Sequence, residues 1–243
     1  MVCFNEKVIG ENIDELWKSW FMQYLVSSEN DIQSSRDGDV IGEVINATSV
    51  LLDPTKNIMK NKDRNLSMRY AIGEMLWYMS GNNSLKEIQK YTSGWDRMSD
   101  DGKVVNSNYG YCIKKKFGFD QWEYTKELLD RYPDTRQAVI HIKEPSSKSS
   151  KDVNCTVCLQ FFIRNGKLYM TTYMRSNDIW MGFPYDVFQF TNMQILMSME
   201  LGCYIGTYTH ITGSLHLYKR DYDNWKNRML KERKDEYISG LIK

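Results

Sequence analysis

The chain has 243 residues, 42% hydrophobic and 26% charged, the proportions of an ordinary folded protein, so its bulk is not disordered. Lys+Arg 32 against Asp+Glu 31 leaves a net charge of +1, with no basic excess to hold a nucleic-acid backbone. Apolar runs fall well short of the roughly 20 residues that span a bilayer, so neither a membrane nor a nucleic acid is an expected partner.

Five scattered cysteines fit a reducing compartment better than a disulfide framework, and the first residues lack the apolar core of a signal peptide. One domain over 1–243, in the cytoplasm, is the expectation. Ile13, Leu16, Trp17, Trp20, Phe21 and Tyr24 recur at helical spacing within Glu11 to Ser27, a first amphipathic helix broken by Ser27-Ser28-Glu29-Asn30. Val40 to Leu52 alternates and is β-branched, a strand ended by Asp53-Pro54. Arg69 to Met79 reads as a helix stopped by Gly81-Asn82-Asn83, and Ser84 as the cap of a helix through Tyr91. Trp95 to Tyr111 reads as loop and Phe119 to Arg131 as helix.

The second half reads as strands: Gln137 to Ile142, then Asn154 to Ile163 and Lys167 to Met174, joined by the hairpin turn Arg164-Asn165-Gly166. Lys143 to Lys151 is a solvated loop. Val187 to Leu201 is an apolar helix, Tyr204 to Thr212 a β-like segment, and the charged tail from Lys219 is helical. The sum is an α+β fold with a mixed β-sheet that buries one face against helices.

Several residues stand out chemically. Cys155 and Cys158 spell C-x-x-C, yet on a strand they point to opposite faces, and neither a helix N-terminus nor a second ligand pair accompanies them. Cys155 follows a loop, where a reactive side chain can reach a cleft; a buried structural cysteine fits it equally well. Cys158 reads as core. Arg175-Ser176-Asn177-Asp178, after a strand, offers a phosphate clamp or a surface ion pair. Glu74 lies inside an apolar helix, either as a general acid/base of raised pKa or on an exposed helix edge. His216 and Tyr218 share a face if their segment is extended, and could hold a sugar hydroxyl or form a half-buried pair.

Taken in order, these pieces resemble the thymidylate synthase family, closest to its phage-type deoxycytidylate hydroxymethylases. The matching residues are Arg36 with Asp37-Gly38, Gly73-Glu74 through Trp77, Gly81-Asn82-Asn83, Trp95-Asp96 and Asn108-Tyr109-Gly110. They continue with Pro133 to Arg136, Cys155, Gln160-Phe161, Arg175 to Asp178, Gly182, Asp186, and Gly213 through His216 to Tyr218. The resemblance implies a thymidylate synthase-like fold whose other sheet face forms a homodimer. It implies one-carbon transfer to pyrimidine carbon 5, with 5,10-methylenetetrahydrofolate as co-substrate and no metal. Cys155 matches the nucleophile that adds at carbon 6, Glu74 the carboxylate that organises water and proton transfer, and Tyr109 a residue near the nucleophile. Arg36, Arg175 and Ser176 match the phosphate clamp, with Arg136 donated across the dimer. His216 and Tyr218 match the sugar-binding pair, Gln160 and Asp186 the base side, and Trp95, Asp178 and Gly182 the folate side.

Departures from the synthases sharpen the reading. Asp186 stands where they carry asparagine; a carboxylic acid can accept from the cytosine amino group and donate to N3, so Asp186 favours dCMP. Thr156 replaces the histidine after the cysteine, as in the hydroxymethylases. The tail from Glu236 to Lys243 lacks their apolar closing residues, which points to a wetter pocket where water, not hydride, completes the reaction. Gln137 replaces a second arginine, which leaves the phosphate clamp incomplete relative to both relatives. Competing readings are a cytidylate methyltransferase that retains hydride transfer, a dUMP-directed hydroxymethylase or synthase, and a nucleotide- or RNA-binding protein without catalysis.

Overall fold

A single mixed sheet organises the chain. The computed structural model describes residues 2–26, 33–35, 38–145 and 150–227. The Ser27–Asn30 break, Arg36 with Asp37, part of the 143–151 loop and the tail beyond 227 therefore lie outside the described residues. The spine of the sheet runs β1 (Val2–Phe4), β4 (Gly38–Leu51), β9 (Tyr204–Tyr218), β7 (Lys167–Met174), β6 (Thr156–Arg164) and β5 (Val139–His141). Strands β2 (Lys7–Gly10) and β3 (Gln33–Ser35) pair with β4, and β8 (Asn177–Asp178) pairs with β9. β4–β9 and β6–β7 are antiparallel, whereas β7–β9 and β8–β9 are parallel, so the sheet is mixed. The β6–β7 hairpin closes through Asn165 and Gly166, both at positive φ, the backbone that a two-residue turn between twisted strands requires.

Helices α1 (Ile13–Val26) and α6 (Gly182–Glu200) cover one face. Trp20 of α1 donates to Ser49 Oγ of β4 at 2.8 Å, and Gln194 of α6 donates to Leu168 O at 2.9 Å and Gly206 O at 3.1 Å. Buried Leu51, Phe161, Leu168, Met170, Phe183, Phe190 and Tyr208 fill the layer between them. α2 (Met68–Ser80) packs beside α6, and the short α4 (Tyr109–Tyr111), continued by a π turn over Cys112–Lys116, packs on α2. α3 (Leu85–Gln89) and α5 (Gln121–Arg131) complete the layer. On the opposite face, alternate strand residues remain half-buried or exposed in cross-strand rows. Cys158, Tyr173, Ile211 and Thr48 form one row, and Gln160, Thr171, Thr209 and Val50 the next.

Several boundaries differ from the sequence reading. β1, β2 and β8 were not anticipated: each is four residues or fewer and rests on pairing rather than on its own pattern. α6 begins five residues before Val187, because Pro184 sits in the first turn, where its missing N–H costs nothing. β9 runs six residues past Thr212, to Tyr218. Trp95 to Tyr111 is not plain loop; it contains a 3₁₀ turn over Asp96–Met98 and α4. α5 starts at Gln121 because Asp120 accepts from the Trp122 and Glu123 amides as its N-cap. Ser84 sits at the N-cap of α3 without a side-chain cap bond, and that helix ends at Gln89. Cys158 is half-buried on the uncovered face instead of lying in the core.

Candidate active site

The ends of β6, β7, β8 and β9 meet the N-terminal half of α6 and the middle of α2 around one cleft of about 1290 Å³. That volume exceeds the roughly 300–1,000 Å³ of a typical single-ligand site.

Cys155 lies immediately before β6, and a bulge between Thr156 and Cys158 re-aims the strand there. Across the hairpin, Arg175 N donates to Cys155 O at 2.8 Å. The guanidinium of Arg175 then wraps the cysteine loop: Nε donates to Asn154 O at 3.1 Å, and Nη2 donates to Val153 O at 2.8 Å and to Cys155 Sγ at 3.6 Å. A positive charge is thus placed against the sulfur. The loop is also tied from below: Asn154 Nδ2 donates to Ser107 O at 2.7 Å, Ser107 donates to Asp152, and Lys151 N donates to Asp100 Oδ1 at 2.7 Å.

Glu74 is buried in the middle of α2, 4% exposed, so it is not on an exposed helix edge. Its neighbours one turn away on either side donate to Oε1, Tyr70 at 2.5 Å and Tyr78 at 3.1 Å, and Gln189 of α6 donates to Oε2 at 3.0 Å. Burial wins over these three donors and pushes the carboxyl up to about 7. Trp95 joins the same chain, its indole N–H donating to the Tyr70 hydroxyl at 3.1 Å. The Asp186 carboxyl, on α6, is raised well above its ordinary value by burial first and then by the charges of Glu74 and Asp178, against a hydrogen bond from Asn177. Tyr109 stacks between Tyr78 and Phe190. Burial, then the charges of Asp186 and Cys155, raise its phenol.

His216 and Tyr218 end β9 on the cleft, rings edge to face at 4.9 Å, and the extended strand puts both on it. Asp178 pairs in register with His216, accepts from Trp180 N at 2.8 Å, and is raised by burial. Ser176 and Gly182 also line the cleft.

The structure therefore gathers Cys155, Glu74, Asp186, Tyr109, Arg175, Ser176, His216, Tyr218, Trp95, Asp178 and Gly182 around one space. Gln160 does not line it. Its side chain lies on the uncovered sheet face and donates to Arg136 O at 3.0 Å, because β6 alternation turns position 160 away from the cleft. Arg136 is exposed, before β5, and also outside the cleft. Arg36 lies outside the described residues. Sequence reasoning missed the residues that hold the site. Tyr70 and Tyr78 sit four residues either side of Glu74, a spacing that marks them as its neighbours on a helix. Gln189, Asn154 and Asn177 carried no such signal. Among the described residues no group of three or more His, Cys, Asp or Glu is placed to hold a metal ion.

Trp95, Asp178 and Gly182 line the same cleft, so an indole, a half-buried carboxyl and a residue without a side chain are available to a flat heteroaromatic co-substrate.

Known proteins resemble the chain in sequence and in fold. The thymidylate synthase family profile matches residues 22–239. A deoxyuridylate hydroxymethyltransferase of Bacillus phage SP01 is 31% identical over 212 residues, covering 81% of this chain and 55% of that protein. The chain thus spans about half the length of that relative. A thymidylate synthase of Bacillus atrophaeus is 27% identical over 178 residues, covering 70% of this chain and 78% of that one. Among solved structures, thymidylate synthase from T4 phage superposes with a TM-score of 0.72 at 19% identity, over 86% of this chain and 79% of that one. Thermostable thymidylate synthase A from Bacillus subtilis superposes at 0.73 and 23% identity, over 89% and 83%. The fold is that of a thymidylate synthase. The chain belongs to the thymidylate synthase family.

Proposed function

We propose that the protein transfers a one-carbon unit from 5,10-methylenetetrahydrofolate to carbon 5 of dCMP and completes the reaction with water, giving 5-hydroxymethyl-dCMP and tetrahydrofolate. The observation that carries this reading is a half-buried carboxyl of raised pKa, Asp186, in the same cleft as the Cys155 thiol and the Glu74 carboxyl. The folate, when bound, supplies carbon at the oxidation level of formaldehyde.

Cys155 Sγ adds to carbon 6 of the base, and the electron pair of the 5,6 double bond makes carbon 5 nucleophilic. Arg175, which already reaches the sulfur, holds the loop that presents it, and Arg175 with Ser176 faces the phosphate. Asp186 accepts from the 4-amino group and donates to N3. His216 and Tyr218 hold the sugar. Once carbon 5 carries the one-carbon unit, loss of the carbon-5 proton breaks the bond between the transferred carbon and the folate nitrogen, which leaves as tetrahydrofolate and gives an exocyclic methylene; Glu74, titrating near neutrality, removes a proton from the water that adds to that methylene. Departure of the Cys155 sulfur from carbon 6 restores the ring. No electrons leave the folate, so tetrahydrofolate is the product. Asp178 and Trp95 serve the folate side, and two copies of the chain pair through the uncovered sheet face, each lending Arg136 to the other's phosphate site. A soluble setting such as a host cytoplasm suits this chemistry; among the described residues no helix is long and apolar enough to cross a membrane.

A second reading, the same chemistry on dUMP, is favoured by one specific observation: the SP01 relative is described as acting on deoxyuridylate. Product mass after incubation with 5,10-methylenetetrahydrofolate and equal dCMP and dUMP separates the two. A cytidylate heavier by CH2O is expected, and Asp186→Asn should swing preference toward dUMP by on the order of 100-fold. A uridylate heavier by CH2O favours the second reading. A product heavier by CH2, with dihydrofolate absorbance, overturns water addition.

A further inference from the structure

Glu74 accepts three hydrogen bonds, and two of the donors are themselves held in place. Gln189 Nε2 also donates to Ala71 O at 2.9 Å, so its amide is oriented by a backbone carbonyl, which can only accept. Its second N–H goes to Glu74 Oε2 at 3.0 Å. Tyr70 is held from the other end. The indole N–H of Trp95 can only donate, and at 3.1 Å it occupies the Tyr70 oxygen. The phenol proton therefore goes to Glu74 Oε1, 2.5 Å away, the shortest of the three contacts. A proton on Oε1 would make the phenol accept twice and turn its own proton from both partners.

Tyr78 donates to the same oxygen at 3.1 Å, so Oε1 carries two donors and Oε2 one. Of the four lone pairs of a carboxylate, one on Oε2 is left for a proton to enter and leave.

We propose that Tyr70 is a positioning residue for the reaction: braced by Trp95, it keeps Glu74 Oε1 an acceptor, so that Glu74 exchanges its proton through Oε2 and holds it loosely enough to act as a base. The inference rests on the proposed function for the water that Glu74 activates; the chain from Trp95 through Tyr70 to Glu74 is independent of it.

A buried carboxyl without donors keeps its proton at working pH and cannot take one from water. The hydrogen bond from Tyr70 opposes burial most strongly of the three, and with the others it leaves the carboxyl at about 7. Tyr70 and Tyr78 face this carboxyl from α2 and Gln189 from α6, while Asp186 of α6 feels its charge. Tyr109 of α4 stacks behind Tyr78, and Trp95 acts through Tyr70. The ring of Tyr70 packs edge to face on Tyr185 at 4.7 Å, a contact that Tyr70→Phe retains.

The test follows Glu74 itself before turnover. In protein carrying carbon-13 at its glutamate carboxyls, the Glu74 signal, assigned by its loss in Glu74→Gln, is titrated without ligands. Tyr70→Phe should raise this titration by about one to two pH units, the worth of a hydrogen bond to a charged group. Trp95→Phe should raise it by less, through a weaker Tyr70 donor, and should add nothing in the Tyr70→Phe background. Tyr78→Phe, which removes the longer bond, should move it less than Tyr70→Phe does. With 5,10-methylenetetrahydrofolate and whichever of dCMP and dUMP is turned over, the rising limb of kcat against pH should move up with the titration in Tyr70→Phe, while the KM for nucleotide stays within a few-fold. Should Tyr70→Phe not fold, Trp95→Phe must carry the shift. An unmoved titration in folded Tyr70→Phe, full additivity of the two substitutions, or a titration that moves without the kcat limb overturns the proposal and leaves the reaction standing. Absence of product from both nucleotides overturns the reaction, and the titration still decides the hydrogen-bond chain.

Discussion

Glu74 makes three hydrogen bonds and still titrates near 7, because a carboxylate with no access to water loses more in solvation than two phenols and an amide return. The sign of the stability effect follows. Unfolded, the group ionises at its ordinary value, 4.5; folded, at about 7. Below 4.5 both states hold the proton and nothing is lost. As pH rises toward 7 the unfolded chain releases its proton while the folded chain keeps it, so stability falls, by about 3 kcal/mol once pH exceeds 7. Glu74→Gln has no such term. Chemical denaturation at pH 5 and pH 8 should show the unaltered protein losing stability relative to Glu74→Gln between the two; equal changes would refute a raised Glu74. The acid was legible in the sequence because a charge inside an apolar helix is an anomaly. Gln189, which feeds its other oxygen, lies 115 residues away, and no local pattern joins them. Gln160 went the other way: the family motif suggested a base contact, and strand alternation turned it from the cleft.

Elements with their own periodicity were readable, and elements that exist by pairing were not. α1, α2 and the β6–β7 hairpin came through within a few residues, since each carries its period and its stop signal: Gly81 in the left-handed conformation ends α2, and Asn165-Gly166 turns the hairpin. The second half of β9, which delivers His216 and Tyr218, contains Gly213 and Ser214, which carry little strand preference of their own; antiparallel pairing with β4 and parallel pairing with β8 hold it extended. α4 is three residues long and owes its place to contact with α2, where Gly110 meets the Tyr78 carbonyl. Any Cβ at 110 would overlap that oxygen, which belongs to backbone and cannot swing aside. Gly110→Ala should therefore push α4 off α2, displace Tyr109 from its stack on Tyr78, and cost about 3 kcal/mol. A denaturant midpoint within about 0.5 kcal/mol of the unaltered protein would sink this account of the α2–α4 contact.

At the scale of the whole molecule the sheet is asymmetric: α1 and α6 bury one face, and the other presents Tyr173, Ile211, Val50 and their neighbours half-exposed. The proposed pairing of two copies through this face would offer the exposed Arg136 of each, which lies outside its own protomer's cleft, to the other's phosphate site. Mixing two inactive variants tests the shared site. Cys155→Ser should lose more than about 1,000-fold in turnover, and Arg136→Ala should raise the KM for nucleotide with a smaller loss in kcat. In a mixed dimer, one cleft carries both changes and the other carries neither, since its cysteine comes from the Arg136→Ala chain and its arginine from the Cys155→Ser chain. With random exchange of equal amounts, half the dimers are mixed and each has one intact cleft. At nucleotide concentrations too low to support Arg136→Ala, activity should recover to about a quarter of the unaltered level. If Arg136 served its own protomer, every cleft in the mixture would lack either the thiol or the arginine, and mixing would give no more than the sum of the parts.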